Sequence, residues 1–175
     1  MTHPAPIGPT IAASAFVAPG AVVLGDVTLG ERASVWYAAV LRGDMAPISI
    51  GDDTNIQDGT IVHVDEGVPC RIGNRIGVGH RVILHGCTVE DDSLIGMGSV
   101  LLNNVRVGTG SVIAAGAVVP EGMQISPGSL VMGVPGRIVR RVDAALAQRI
   151  EATWRHYVAQ ASAHRAGHFR AAPDV

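Results

Sequence analysis

Twenty apolar residues recur in this chain at a spacing of six. Ile11, Val17, Val23, Leu29, Val35 and Leu41 open the series. Three extra residues delay the next member, and the count resumes at Ile50, Ile56 and Val62. Four more fall in VDEGVPCR, before Ile72, Val78 and Leu84. The count then shortens by one and runs Val89, Ile95, Leu101, Val107, Ile113, Val119, Ile125 and Val131. Glycine often follows, as at Gly30, Gly51, Gly79 and Gly96, and the fourth residue on is small or β-branched, as at Ala33, Thr54, Ser93 and Ser129.

A period of six matches neither the turn of a helix nor the alternation of a half-buried strand. It matches a solenoid whose coil has three short sides, one hexapeptide to each. Twenty hexapeptides make about seven coils, stacked at the usual strand spacing of roughly 4.8 Å. The repeated residue points inward and stacks on its equivalent one coil later. The composition agrees: hydrophobic residues make up 47% of the chain but aromatics only 3%, with 22 glycines, which suits an interior of small stacked side chains.

The repeat stops at GVPGRIVRRV, where Pro135 and Gly136 mark a turn. Asp143 is a natural N-cap. From Ala144 to about His164 the chain reads as helix, with Leu146, Ile150, Trp154, Tyr157 and Ala161 as its apolar stripe. The expected organisation is a solenoid over residues 1–140, a bracing C-terminal helix over 141–165 and a loose tail over 166–175. A net charge of −2 gives no support to nucleic-acid binding. No apolar run reaches the length of a membrane span, and the N-terminus lacks the features of a signal peptide. Cys70 and Cys87 make no disulfide framework; Cys70 reads as loop and Cys87 as a packed thiol. The expected compartment is the cytoplasm.

The repeat also gives each polar residue an address. A coil is three hexapeptides, and allowing for the insertions Arg42, His63 and His85 occupy one address on successive coils, each directly after an inward residue. His63 and His85 can therefore share one metal ion. His80 lies two residues after Val78, and Asp58 lies two after Ile56, so these form a second column on another side, with Gln57 next to it. His80 does not easily reach His63 and His85 within one chain, but it could join them from a neighbouring chain in a closed ring of three solenoids. That ring also sets Arg42 opposite the neighbour's Asp58, where a charge-assisted pair would fix the register. Three histidines and a water are the ligand set of a catalytic zinc site. His3, His156, His164 and His168 read as surface side chains.

The runs VLRGDMAPISIGDDTNIQDGTIVHV, VGHRVILHGCTV, IGMGSVLL and GVPGR resemble those of the gamma-class carbonic anhydrases and their relatives. The likeness extends from about residue 7 to residue 160. It implies a left-handed parallel β-helix assembled as a homotrimer. It further implies a metal held by His63 and His85 of one subunit and His80 of the next, and reversible hydration of CO2 to bicarbonate by a metal-bound hydroxide. Zinc is the implied metal, and Fe2+ or Co2+ also suits imidazole ligands. Zinc brings the pKa of such water to about 7, a magnitude taken from carbonic anhydrase itself. The likeness puts Gln57 near the metal-bound solvent and gives Arg42, Asp44 and Asp58 to inter-subunit ion pairs. Proton export falls to Asp65 or Glu66. Some gamma enzymes carry glutamate directly after the RGD motif, whereas this chain has Met45 and short loops. Two alternatives follow: a metal-binding trimer with little anhydrase activity that acts on another small substrate or supports a pathway, and a hexapeptide acyltransferase.

Overall fold

A computed structural model describes residues 7–170 and residue 172. The hexapeptides form three parallel ladders. One face carries the first parts of Val22–Leu29 and Val40–Ile50, then Ile61–His63, Ile83–His85, Val100–Leu101 and Val118–Val119. The two long strands bend round a corner onto a second face, which continues through Cys70–Ile72, Thr88–Val89, Arg106–Val107 and Gln124–Ile125. The third face runs from Phe16–Val17 through Ser34–Val35, Asn55–Ile56, Gly77–Val78, Leu94–Ile95 and Val112–Ile113 to Ser129–Met132. The fold is a left-handed parallel β-helix of about seven coils with one C-terminal helix.

Register follows from burial. Val62, Leu84, Leu101 and Val119 are direct partners on successive coils and are 0% exposed. Every repeat residue from Leu29 to Val131 is buried, and each such side chain contributes about 1.5–3 kcal/mol. Ile11 is 42% exposed, and Val17 and Val23 are half-buried, because they lie at the open first coil. A second inward position precedes each repeat residue by two. Where it is polar, its hydroxyl bonds to backbone, as Thr54 does to the Gly73 carbonyl at 2.7 Å and Thr60 to the Gly79 carbonyl at 2.9 Å. Gly96 shows why the next place is so often glycine: a Cβ there would lie 2.4 Å from the Ala115 nitrogen of the following coil.

One corner is ordered by charge. Arg32, Asp53, Arg75 and Asp92 stand at the same address on successive coils, each with φ between 54° and 58°. Arg32 holds Asp53 through bonds of 2.7 and 2.8 Å, and Arg75 holds Asp92 through bonds of 2.7 and 2.8 Å. Beside them the Asp52, Asn74 and Asp91 side chains each accept a backbone N–H from the coil before.

The helix, Ala144–Arg165, is capped by Asp143, whose carboxylate accepts the Leu146 N–H at 2.9 Å. Leu146, Ile150 and Trp154 pack on Val112 and Leu130, and Tyr157 and Ala161 on Phe16 and Trp36. The helix thus runs back along the third face from the last coils to the first. Three features differ from the sequence expectation. Residues Arg137–Arg141 form a strand antiparallel to Ser129–Met132, where the repeat had simply ended. Cys70 is not loop: it opens a strand, is fully buried and sits in register with Ile48. Its Sγ lies 3.8 Å from that of Cys87, and both thiols are free. His164 is half-buried against Trp36, with ring centroids 5.0 Å apart, and its Nδ1 is 3.0 Å from the Tyr37 hydroxyl. His156 and His168 are exposed, while His3 and tail residues 171 and 173–175 lie outside the described residues. No described helix is long and apolar enough to cross a membrane.

Leu101→Ala opens a void between two buried neighbours, so it lowers stability by about 2–5 kcal/mol, read from urea unfolding. The Leu146 N–H, then the Arg140 charge, holds the Asp143 carboxyl below the usual carboxylate range. Its contribution is therefore complete above the unfolded value near 3.9 and is lost as pH falls through the lowered folded value. An acid series of thermal melts shows this loss in the wild type and a shallower one in Asp143→Ala.

Candidate metal centre

His63 and His85 are register partners on adjacent coils, so their side chains leave the same face one above the other. The ring centroids are 5.2 Å apart, and Nδ1 of His63 faces Nε2 of His85 at 3.1 Å. Each ring's other nitrogen meets an oxygen. Nε2 of His63 lies 3.3 Å from Asp44 Oδ1, and Nδ1 of His85 lies 2.7 Å from Asn103 Oδ1. Arg42, the partner of His63 one coil earlier, bonds Asp44 Oδ2 at 2.5 Å. Hydrogen bonding from Arg42 holds the Asp44 carboxyl below its ordinary range. Asp44 belongs to the three-residue insertion in Val40–Ile50, which brings the carboxylate back over the histidine column.

His80 stands on the corner between the helix-covered face and the histidine face. Its Nδ1 lies 2.9 Å from Asp58 Oδ2. Among the described residues of one chain, no three His, Cys, Asp or Glu side chains converge on a single ligand point. Gln57, next to Asp58, is 5% exposed, and its Nε2 donates to Asn55 Oδ1 at 3.0 Å. A groove of about 530 Å³ between the solenoid and the helix is lined by Gln57, His80, Leu94, Met97, Leu146 and Tyr157. Tyr157 meets Trp36 edge-on at 5.2 Å. Burial, then the negative charge of Asp58, pushes its hydroxyl above the ordinary value.

The insertion after His63 forms a tight turn, closed by the Val68 N–H on the Asp65 carbonyl at 3.0 Å. Asp65 Oδ2 accepts from Asn103 Nδ2 at 2.7 Å, and Asp65 Oδ1 lies 3.9 Å from His85 Nε2. Both acidic residues of this turn are exposed, and of the two it is Asp65 that bonds Asn103 and so connects to His85. Bonding to Cys70, then burial, pushes the Cys87 thiol well up, and it stays a packed, protonated group. Asn55 and Asn103 were not singled out in the sequence. Asn55 was open to view in NIQDG, two residues before Gln57. Asn103 has a weaker signal: a polar residue two places after inward Leu101, one coil beyond His85.

The donor set fits a divalent metal. Two imidazole nitrogens on one tetrahedral zinc, each at 2.0–2.1 Å, lie about 3.3 Å apart, close to the 3.1 Å found. Ligand histidines also pass their second nitrogen to a carboxylate or carbonyl, as His63, His85 and His80 do here.

Residues 86–121 match the family model described as bacterial transferase hexapeptide (six repeats). A protein of Geobacillus kaustophilus named carbonic anhydrase is 47% identical over 158 residues, covering 90% of this chain and 87% of its own length. The mitochondrial gamma carbonic anhydrase 2 of Arabidopsis thaliana is 40% identical, over 89% of this chain and 58% of that protein. The crystal structure of a hexapeptide transferase family protein from Anaplasma phagocytophilum superposes with a TM-score of 0.87 at 34% identity, covering 90% of this chain and 93% of that one. The coil count, the paired histidines and these relatives agree, and the chain belongs to the gamma-class carbonic anhydrase-like family of hexapeptide-repeat proteins.

Proposed function

We propose that this chain catalyses the reversible hydration of CO2 to bicarbonate at metal sites shared between subunits of a homotrimer. The observation that carries the reading is the state of the three imidazoles. Each has one nitrogen set against an oxygen, which leaves Nδ1 of His63, Nε2 of His85 and Nε2 of His80 as ligands. His63 and His85 present theirs to one point, and His80, on a different corner, presents its own to the adjacent subunit. Zinc is the proposed metal, with Fe2+ or Co2+ served by the same donors. What such a metal supplies is a water acidic enough to lose its proton near neutral pH and attack CO2.

The remaining roles fall to this chain's own residues. Gln57 is held by Asn55, and its carbonyl oxygen meets no donor among the described residues, so it can accept a hydrogen bond from water or bicarbonate at the groove. Asp44 holds the His63 ring and pairs with Arg42, and in the proposed trimer Arg42 also pairs with Asp58 of the adjacent subunit. Glu66, exposed on the turn after His63, accepts the proton that must leave. Two free, buried thiols are consistent with a reducing cytoplasm. Met45 in place of a glutamate favours a second reading, a metal-binding trimer with slow hydration and a different physiological substrate.

Stopped-flow CO2 hydration with zinc, or with iron(II) under anaerobic conditions, tests the first reading. Metal-loaded wild type is expected to hydrate CO2, and His63→Ala and His80→Ala each to lose at least about 100-fold. Refolding the two inactive variants together restores activity, because an intact site forms wherever a chain with His63 meets a neighbour with His80, about one site in four. Failure of this complementation sinks the shared site. An inactive, fully metallated wild type leaves the slow-hydration reading in place.

A further inference from the structure

Asn103 joins the His85 imidazole to the Asp65 carboxylate. We infer that Asn103, anchored by Asp65, is a positioning residue that holds His85 in its Nδ1–H tautomer and so turns the lone pair of Nε2 toward the point shared with His63. This rests on the metal-site reading above. The two ends of an amide differ, and here the neighbours decide which end goes where. Asp65 Oδ2, 2.7 Å away, is a carboxylate oxygen and can only accept, so the Asn103 amide must turn its Nδ2 toward it. That leaves Oδ1 against His85 Nδ1 at 2.7 Å. A carbonyl oxygen also only accepts, so the proton of a neutral His85 sits on Nδ1 and Nε2 carries a lone pair.

The backbone makes room for this arrangement. Gly86 follows His85 with φ +53°, and a Cβ on it would lie 2.4 Å from Asn103 Oδ1 and 2.7 Å from Val68 Cγ1. The Asn104 N–H bonds the Gly86 carbonyl at 2.8 Å, which fixes the corner that carries Asn103. His63 and His85 are therefore oriented by different groups. His63 leans on a carboxylate already paired with Arg42, a charged partner of the kind that fixes the ring orientation of ligand histidines. His85 leans through Nδ1 on a neutral amide, and the Asp65 carboxylate that anchors this amide keeps its other oxygen 3.9 Å from Nε2, beyond hydrogen-bond distance. Aspartate in place of Asn103 would set two carboxylates face to face and lose the orientation.

The test uses the full chain in its native assembly. Long-range 15N–1H spectra of the metal-free protein are expected to show His85 as Nδ1–H, and Asn103→Leu to release it to a mixture rich in Nε2–H. Zinc and cobalt(II) affinity, measured by chelator competition, falls about 10–100-fold in Asn103→Leu, and the cobalt absorption spectrum changes shape. Asp65→Ala, an exposed turn substitution that does not touch the core, shifts tautomer and affinity in the same direction by a smaller factor. It carries the test if Asn103→Leu does not fold. Finding His85 as Nε2–H in the wild type overturns the inference. So does an unchanged tautomer and affinity in whichever of the two variants folds. If the wild type binds neither metal, the anhydrase reading fails, while the metal-free spectra still judge Asn103.

Discussion

The core and the histidine column rest on one constraint: each coil hydrogen-bonds to the next in register, so residues with the same address stack. Val62 meets Leu84, and Leu84 meets Leu101. The same rule stacks the side chains of Asp52, Asn74 and Asp91 into a polar ladder and lifts His85 directly over His63. A pair of facing imidazoles is thus obtained from the ordinary spacing of a parallel ladder, without a dedicated loop. The insertions fall at corners, after Arg42 and after His63, where extra residues shift the register only at the corner and return acidic side chains over the histidine column.

That constraint also governs what could be read in advance. Because the inward position repeats strictly, the faces, the columns of Arg42, His63 and His85 and of Asp58 and His80, and the end of the solenoid were legible from counting. The helix was legible from Asp143 and its apolar stripe. Counting does not say on which side of an insertion its extra residues lie, so Cys70 read as loop although it is the second inward position of a strand. Nor does it see the strand Arg137–Arg141, which has no repeat and pairs antiparallel. His164 was missed because its burial depends on aromatic residues from the opposite end of the chain, Phe16, Trp36 and Tyr37. Asn55 and Asn103 act through side-chain torsions that no periodicity encodes.

The helix completes the surroundings of the site. By running back along the third face it brings Tyr157 into the groove that holds Gln57 and His80, and near the charge of Asp58. One chain therefore carries two unlike histidine clusters. His63 and His85 are held by oxygens from insertions and corners. His80 is held by Asp58 and set against the helix and its aromatic packing.

The corner of Arg32, Asp53, Arg75 and Asp92 has a meaning for the length of the solenoid. Its signs alternate from coil to coil, so the stack has parity. Excising the single coil that carries Asp53 would put arginine on arginine, and excising the one that carries Arg75 would put aspartate on aspartate. Taking out both as a pair would keep opposite charges in contact. In this part of the chain the fold can gain or lose coils by twos more readily than by ones, and a homologue with one coil fewer would need a different solution at this corner.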